Sequence, residues 1–127
     1  MKLTWNGPIT YSVGGKFTYP KYSGVYIIAK TIDGIKKAKY VGQVNIYERM
    51  KVHESNDESN SCVKKVMSNR DDIKVYYTEI KNETDRDNAE FTLYNFYGGS
   101  DKLCNENTPF GEYDYDISGP FLQEIEP

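Results

Sequence analysis

Gly24-Val25-Tyr26-Ile27-Ile28-Ala29-Lys30-Thr31, the pair Asp33-Gly34, and the return Ile35-Lys36-Lys37-Ala38-Lys39-Tyr40-Val41-Gly42 form the stretch on which the fold turns. Two β-branched and aromatic runs flank an Asp-Gly pair, the strongest short-range signal for a β-hairpin. Loop length sets the register. A two-residue loop at Asp33-Gly34 places Tyr26 opposite Val41 and sends Tyr40 to the other face of the sheet. A three-residue loop, Ile32 to Gly34 with Gly34 in the left-handed region, sets Tyr26 directly across from Tyr40. The longer loop is favoured here, because a site shared by two phenols needs both on one side; with a two-residue loop that requires the hairpin to bulge.

Outward from the hairpin, Asn45 followed by Glu48 has the form of a capping box and opens a helix to about Glu54, with Ile46 and Met50 on its buried line. Arg49 and His53 lie four residues apart on one face of that helix, beside the buried line. Asn56 to Asn60 is a polar loop, and Val63, Val66 and Met67 mark a second short helix ending near Asn69. Ile73 to Ile80 is a third strand. Thr84 with Asp87 is positioned to cap a third helix, which runs to Tyr97 and stops at Gly98-Gly99. On that helix Glu90 shares a face with Leu93, Tyr94 and Tyr97. The expected architecture is therefore a small α+β fold, a three-stranded antiparallel sheet flanked by helices.

Residues 1 to 23, with Gly14-Gly15 and Pro20, are expected to form an N-terminal extension that is mostly loop and contributes at most one edge strand. The core domain is placed at residues 24 to 109. An acidic tail at 110 to 127, rich in glycine, proline and acids, is expected as an irregular wrap or a partly disordered end of the same single domain. At 127 residues the chain has room for one core. It has no apolar run long enough to cross a bilayer and no signal-peptide core at Met1-Lys2-Leu3-Thr4-Trp5-Asn6, so no membrane partner and a cytoplasmic location are expected. Cys62 and Cys104 are too few for a disulfide framework and are expected as small buried thiols in a reducing compartment.

The net charge of -3 conceals an asymmetry. Residues 1 to 54 carry nine basic side chains against three acidic ones, a net of +6, whereas residues 55 to 127 carry seven against sixteen, a net of -9. A basic half that contains the tyrosines and Arg49 can attract phosphate even in an acidic molecule. Lys36, Lys37 and Lys39 serve equally well as solubilising charge on a hairpin.

Gly24-Val25-Tyr26 and Tyr40-Val41-Gly42 resemble the two signatures of the GIY-YIG nuclease family, with Val for Ile in the first. Arg49, His53, Glu90 and Asn105 fall where that family places its arginine, the position four residues later, its metal-binding glutamate and its late asparagine. The resemblance runs from about Gly24 to Asn107. It departs from the family at Gln43, where some members carry a lysine, and in a slightly longer spacer between the signatures. It implies a GIY-YIG-like fold and a divalent-metal-dependent endonuclease that cuts DNA, duplex or branched, to leave 5′-phosphate and 3′-hydroxyl ends. By analogy, the short chain suggests a phage or mobile-element origin.

Each chemical role has an expected occupant under that resemblance. Glu90 would bind one Mg²⁺ or Mn²⁺ ion, the other ligands being water and phosphate, unless it pairs instead with Arg86 on the helix surface. Arg49 would clamp the phosphate through its planar fork, the alternative being a surface pairing with Glu48 or Glu54. Tyr26 would handle the attacking water, passing its proton towards His53, while Tyr40 orients water or phosphate. A phenol of pKa about 10 is a poor base at neutral pH without such help. Asn105 would hold the phosphate or brace the sheet, with Asn107 the competing residue and simple turn formation an alternative for both. A different class of function remains open, a non-catalytic nucleic-acid or protein-interaction module that keeps the nuclease fold. Oligomeric state, monomer or homodimer, is left undetermined.

Overall fold

The computed structural model describes residues 1–10 and 19–121. The Gly14-Gly15 turn signal and the last residues of the acidic tail, 122–127, lie outside the described residues. The architecture is α+β, as expected, but the antiparallel sheet has four strands rather than three. Its strands are β1 (Asn6–Thr10), β2 (Ser23–Ile32), β3 (Ile35–Asn45) and β4 (Ile73–Glu79), in the order β1-β4-β2-β3. The additional strand is β1, which pairs with β4 through an irregular register between Asn6 and Ile9. Pro8 lies within it, a residue that edge strands tolerate because one side of their backbone has no ladder partner.

β2 is one of two inner strands, hydrogen-bonded to β3 and β4, and Val25 to Ala29 are buried without a break. Both of its faces meet apolar layers, which explains a run without polar alternation. On one face Tyr26, Ile28, Ile73 and Val75 pack against α1 (Ile46–His53) and α2 (Ser61–Met67), through Ile46, Met50, Val63 and Met67. On the other, Val25, Ile27, Ala38 and Val41 pack against α3 (Glu83–Phe96), through Ala89 and Leu93. Leu103 and Ile117 complete that second layer. The molecule is thus a sheet between two helical layers.

The hairpin departs from the expected loop. Asp33 and Gly34 both have positive φ, 54° and 79°, and Ile32 pairs directly with Ile35, so the turn has two residues, not three. That turn alone would set Tyr26 opposite Val41, but Tyr26 pairs with Gly42, because the register changes further along the hairpin. A register shift between Ile28 and Ala29 makes Lys39 an extra residue, so that Ala38 faces Ala29 while Tyr40 faces Ile28. This bulge returns Tyr40 to the face of Tyr26. The two rings stack with centroids 6.2 Å apart.

The α1 cap is as expected, with the Asn45 side chain accepting from the Glu48 backbone N–H at 3.0 Å. The α3 cap is not. Asn82, rather than Thr84, accepts from the Asp85 N–H at 2.9 Å, which leaves Asp87 for other partners. Gly98, at φ 100°, closes the C-terminal end of α3 in the left-handed region.

Residues 111–121 run along α3 as an irregular wrap. The Asp114 N–H donates to Thr92 Oγ1 at 2.9 Å, the Glu112 N–H to Asn88 Oδ1 at 2.8 Å, and the Tyr97 hydroxyl to the Phe121 carbonyl at 2.9 Å. The wrap also secures the beginning of the chain, through an ion pair of 2.8 Å between the Met1 ammonium and Asp114. The cysteines do not stand as separate thiols: Cys62, in the first turn of α2, and Cys104 form a disulfide. Chain separation of 42 residues gave no sign of this proximity.

Candidate functional site

β3 is an edge strand, and the segment after α3 covers part of its edge. The Cys104 N–H donates to the Lys39 carbonyl at 2.6 Å. Asn105 extends the pairing with its side chain, Nδ2 donating to the Val41 carbonyl at 2.7 Å and Oδ1 accepting from the Val41 N–H at 3.1 Å. Asn105 thus imitates a strand residue, the sheet-bracing one of its two expected roles. Asn107 lies on the rim of the same cleft without those bonds to β3.

Beyond this edge opens a cleft of about 390 Å³, lined by Tyr40, Arg49, Glu58, Glu90, Asn105 and Asn107 among others. Four of the residues singled out in the sequence, Tyr40 from β3, Arg49 from α1, Glu90 from α3 and Asn105, are brought to this one depression. The helices lie on opposite faces of the sheet, so their side chains meet only past its edge. Arg49 Nη2 approaches the Tyr40 hydroxyl at 3.5 Å. Arg86 does not neutralise Glu90, because its Nη1 donates backward to the carbonyls of Ile80 and Lys81.

Tyr26 and His53 lie behind the cleft. Tyr26 is fully buried, and its hydroxyl is 2.7 Å from His53 Nε2. The imidazole also stands edge-on to Tyr40, with centroids 4.9 Å apart. Its other nitrogen, Nδ1, is 2.6 Å from Glu58 Oε2, and Glu58 Oε1 accepts the Asn60 backbone N–H at 2.9 Å. Glu58 was missed in the sequence. It is five residues from His53, across the end of α1, so no helical-face rule connects them. Its only signal was an acid in the loop next to the single histidine.

Gln43, the departure from the family pattern, also has a defined place. Its Nε2 donates to Asp87 Oδ1 at 2.8 Å and reaches Glu90 Oε1 at 3.5 Å. Where a lysine would add charge, a neutral amide aligns two carboxylates instead. The following residue, Val44, has φ 91°.

The electrostatics follow from burial. Desolvation raises the pKa of Tyr26 and of Tyr40, with Arg49 opposing in both cases. Burial holds His53 below its ordinary value although Glu58 pulls it upward. Burial pushes Glu58 up, but the Asn60 N–H and the imidazole outweigh it and leave the carboxyl below the usual range. Burial raises Glu90, while Gln43 pulls it down, Asp87 raises it further and Arg49 opposes. Burial lowers Arg49, but the neighbouring phenols of Tyr26 and Tyr40 reverse the balance and raise it.

Among the described residues, no group of three or more His, Cys, Asp or Glu converges in a way that could hold a metal. Glu90 nevertheless suits a hard ion with few protein ligands: it lines the cleft, burial disfavours its bare charge, and the nearest amide is only loosely engaged at 3.5 Å. No helix among the described residues is long and apolar enough to cross a membrane. The chain matches no protein-family model, no curated protein and no solved structure.

Proposed function

We propose that this protein is a divalent-metal-dependent DNA endonuclease of the GIY-YIG kind, hydrolysing phosphodiester bonds to 5′-phosphate and 3′-hydroxyl ends. The observation that carries this proposal is the convergence of Tyr40, Arg49, Glu90 and Asn105 on one cleft, with the Tyr26–His53 hydrogen bond immediately behind it. These residues come from different elements, and only a fold that bends both helical layers around one sheet edge brings them together.

In the proposed site Arg49 donates to the phosphoryl oxygens, where a guanidinium keeps its charge throughout the reaction. Tyr40, the phenol that lines the cleft, orients the attacking water beside that phosphate. Tyr26 works from within, as the link that carries a proton inward to His53. Glu90 would hold one Mg²⁺ or Mn²⁺ ion, which when bound supplies charge compensation for the phosphate. Asp87, aligned with Glu90 by Gln43, adds negative potential at the same place. Asn105 keeps the β3 edge, and therefore Tyr40, in position.

The expected result is Mg²⁺- or Mn²⁺-dependent cleavage within a panel of plasmid, single-stranded and branched DNAs, abolished by Glu90→Ala with the fold retained by circular dichroism. One observation favours a competing function, a non-catalytic nucleic-acid or protein-interaction module: the full burial of Tyr26. Wild-type protein that leaves every DNA in the panel intact with both metals would establish that alternative.

A further inference from the structure

The side chains of His53 and Glu58 are only 1% and 7% exposed, and they are joined to Tyr26 in a single line: Tyr26 hydroxyl to Nε2 at 2.7 Å, Nδ1 to the Glu58 carboxylate at 2.6 Å. Each nitrogen of a neutral imidazole has a fixed duty, one donating and the other accepting. An ionised carboxylate only accepts. Hence Nδ1 must carry the proton and donate to Glu58 Oε2, which leaves Nε2 as the acceptor for the Tyr26 O–H. We propose that Glu58 is a positioning residue that sets the tautomer and orientation of His53 so that the imidazole takes the proton of Tyr26. Its catalytic consequence rests on the nuclease function proposed above; the tautomer itself does not.

The geometry of Glu58 is fixed independently of His53. Its second oxygen accepts the Asn60 N–H, the Asn60 side chain caps α2 and donates to the Cys104 carbonyl at 2.7 Å, and the disulfide ties Cys104 to Cys62 on the same turn. The carboxylate is thus held by the bracket that also carries Asn105 to the β3 edge. Such outer support is what keeps a proton acceptor aimed.

The proton balance is simple. Burial raises the pKa of Tyr26 and lowers that of His53, so no proton passes between them at rest. As the phenol oxygen takes the proton of the attacking water, the Tyr26 O–H bond breaks and an Nε2–H bond forms. Tyr26 thus ends as a neutral phenol, and the imidazolium is offset by the Glu58 carboxylate, which stays ionised and takes no proton. Among the described residues, the charged and titratable groups around His53 are Tyr26 from β2, Tyr40 from β3, Arg49 from α1, Glu54 at the C-terminal cap of α1, Glu58 from the following loop, and Lys64 of α2 across a shared pocket. Arg49 opposes the imidazolium; Glu58 makes the closest contact and offsets it. A second pocket of about 240 Å³ is lined by His53, Glu54, Ser55 and Lys64 among others.

Because His53 is the only histidine, its ring nitrogens can be read in the intact protein without substrate or metal. Two-bond ¹H–¹⁵N correlation spectra at pH 7.5 should show the Nδ1-protonated tautomer in wild type. In Glu58→Ala the ring should move to the Nε2-protonated form or to a mixture. Glu58→Gln preserves the shape and an acceptor for Asn60. In that variant the imidazolium should titrate at lower pH than in wild type, and kcat should fall about 100-fold or more with KM within threefold. An Nε2-protonated ring in wild type would overturn the assignment, as would an unchanged imidazole titration in folded Glu58→Gln. If wild type cleaves no DNA, the nuclease function fails while the spectra still decide the role of Glu58. If it cleaves and Glu58→Gln retains kcat within threefold, the catalytic consequence fails by itself.

Discussion

Gly42 on β3 pairs directly with Tyr26 on β2, and the phenol ring occupies the space where a Gly42 side chain would be: an added Cβ would meet the Tyr26 ring and hydroxyl at less than van der Waals separation. The two signatures are thus one packing unit. Gly24 has a similar cause on the other side, since a Cβ there would run into the Thr78 carbonyl of β4. Gly42→Ala is expected to lower stability by about 1–3 kcal/mol, the range for forcing extra volume into a packed core. It should also separate Tyr26 from His53. Urea denaturation of Gly42→Ala in wild-type and Tyr26→Ala backgrounds gives the coupling. A cost that does not shrink when the ring is removed would show that the collision lies elsewhere.

Val44 sits at φ 91°, a conformation that a β-branched side chain adopts only under constraint. Both of its neighbours are pinned, Gln43 by Asp87 and Asn45 by the first turn of α1. The strain is therefore the cost of turning from the strand into the helix while Gln43 still faces the carboxylates. Val44→Gly relieves about 1–3 kcal/mol of backbone strain at about 0.5–1 kcal/mol of glycine entropy. Since Val44 is 49% exposed, little packing is lost. A net gain of roughly 1 kcal/mol in unfolding free energy is expected. A destabilised Val44→Gly protein would mean that the valine side chain matters more than its backbone.

How much of this was legible depended on whether the cause was local. The hairpin, the Asn45 cap and the Ile46 and Met50 line follow from neighbouring residues, and the structure bears them out. A bulge was the expected alternative to the longer loop, but its place at Lys39 was not legible, because that backbone is held by Cys104 from a segment 65 residues away in the chain. β1 is the one edge strand that residues 1 to 23 were allowed, but its place was not legible, because Pro8 interrupts it and its partner, β4, lies far along the sequence. The cap at Asn82 lost to Thr84 because both residue types cap helices and only the turn preceding α3 distinguishes them. At the site, spacing put Arg49 and His53 on one helix face and the resemblance set Tyr40, Glu90 and Asn105 beside them, and Tyr40, Arg49, Glu90 and Asn105 do line one cleft, whereas Glu58, in a loop without period, became visible only through its contact with His53.

The Cys62–Cys104 bond closes a loop with a separation of 42 residues. Chain-entropy arguments give about 4 kcal/mol of stabilisation for a loop of that size, with measured values for disulfides often nearer 2–4 kcal/mol. Thiol titration of the unfolded chain without reductant should find no free cysteine. Denaturation with and without dithiothreitol should differ by that amount, and Cys62→Ser with Cys104→Ser should reproduce the reduced state. Because the bond supports Cys104 and so Asn105, reduction should also expose the Val41 amide to hydrogen exchange. An exchange rate at Val41 that does not respond to reduction would separate the disulfide from the site.

The sign of the acid response follows from His53 and Glu58 together. Burial depresses the folded pKa of His53, so between that value and the unfolded value of about 6.5 the unfolded chain binds more protons. Its contribution to stability is full above about pH 6.5 and is lost as pH falls towards the folded pKa. Glu58 is also depressed, from an ordinary 4.5, so its contribution is present above that value and lost below it. Glu90 acts in the opposite direction, because burial raises its pKa and the charged form weakens the fold as pH rises. The clean comparison therefore uses a Glu90→Gln background. There the urea midpoint should drop as pH falls from 7.5 to 5.5, and His53→Gln should flatten that drop. The fall below pH 4.5 should remain but shrink, since part of the Glu58 shift comes from the imidazole. Parallel curves for the two proteins would show that His53 is not held neutral by the fold, and the Tyr26–His53–Glu58 line would lose its electrostatic basis.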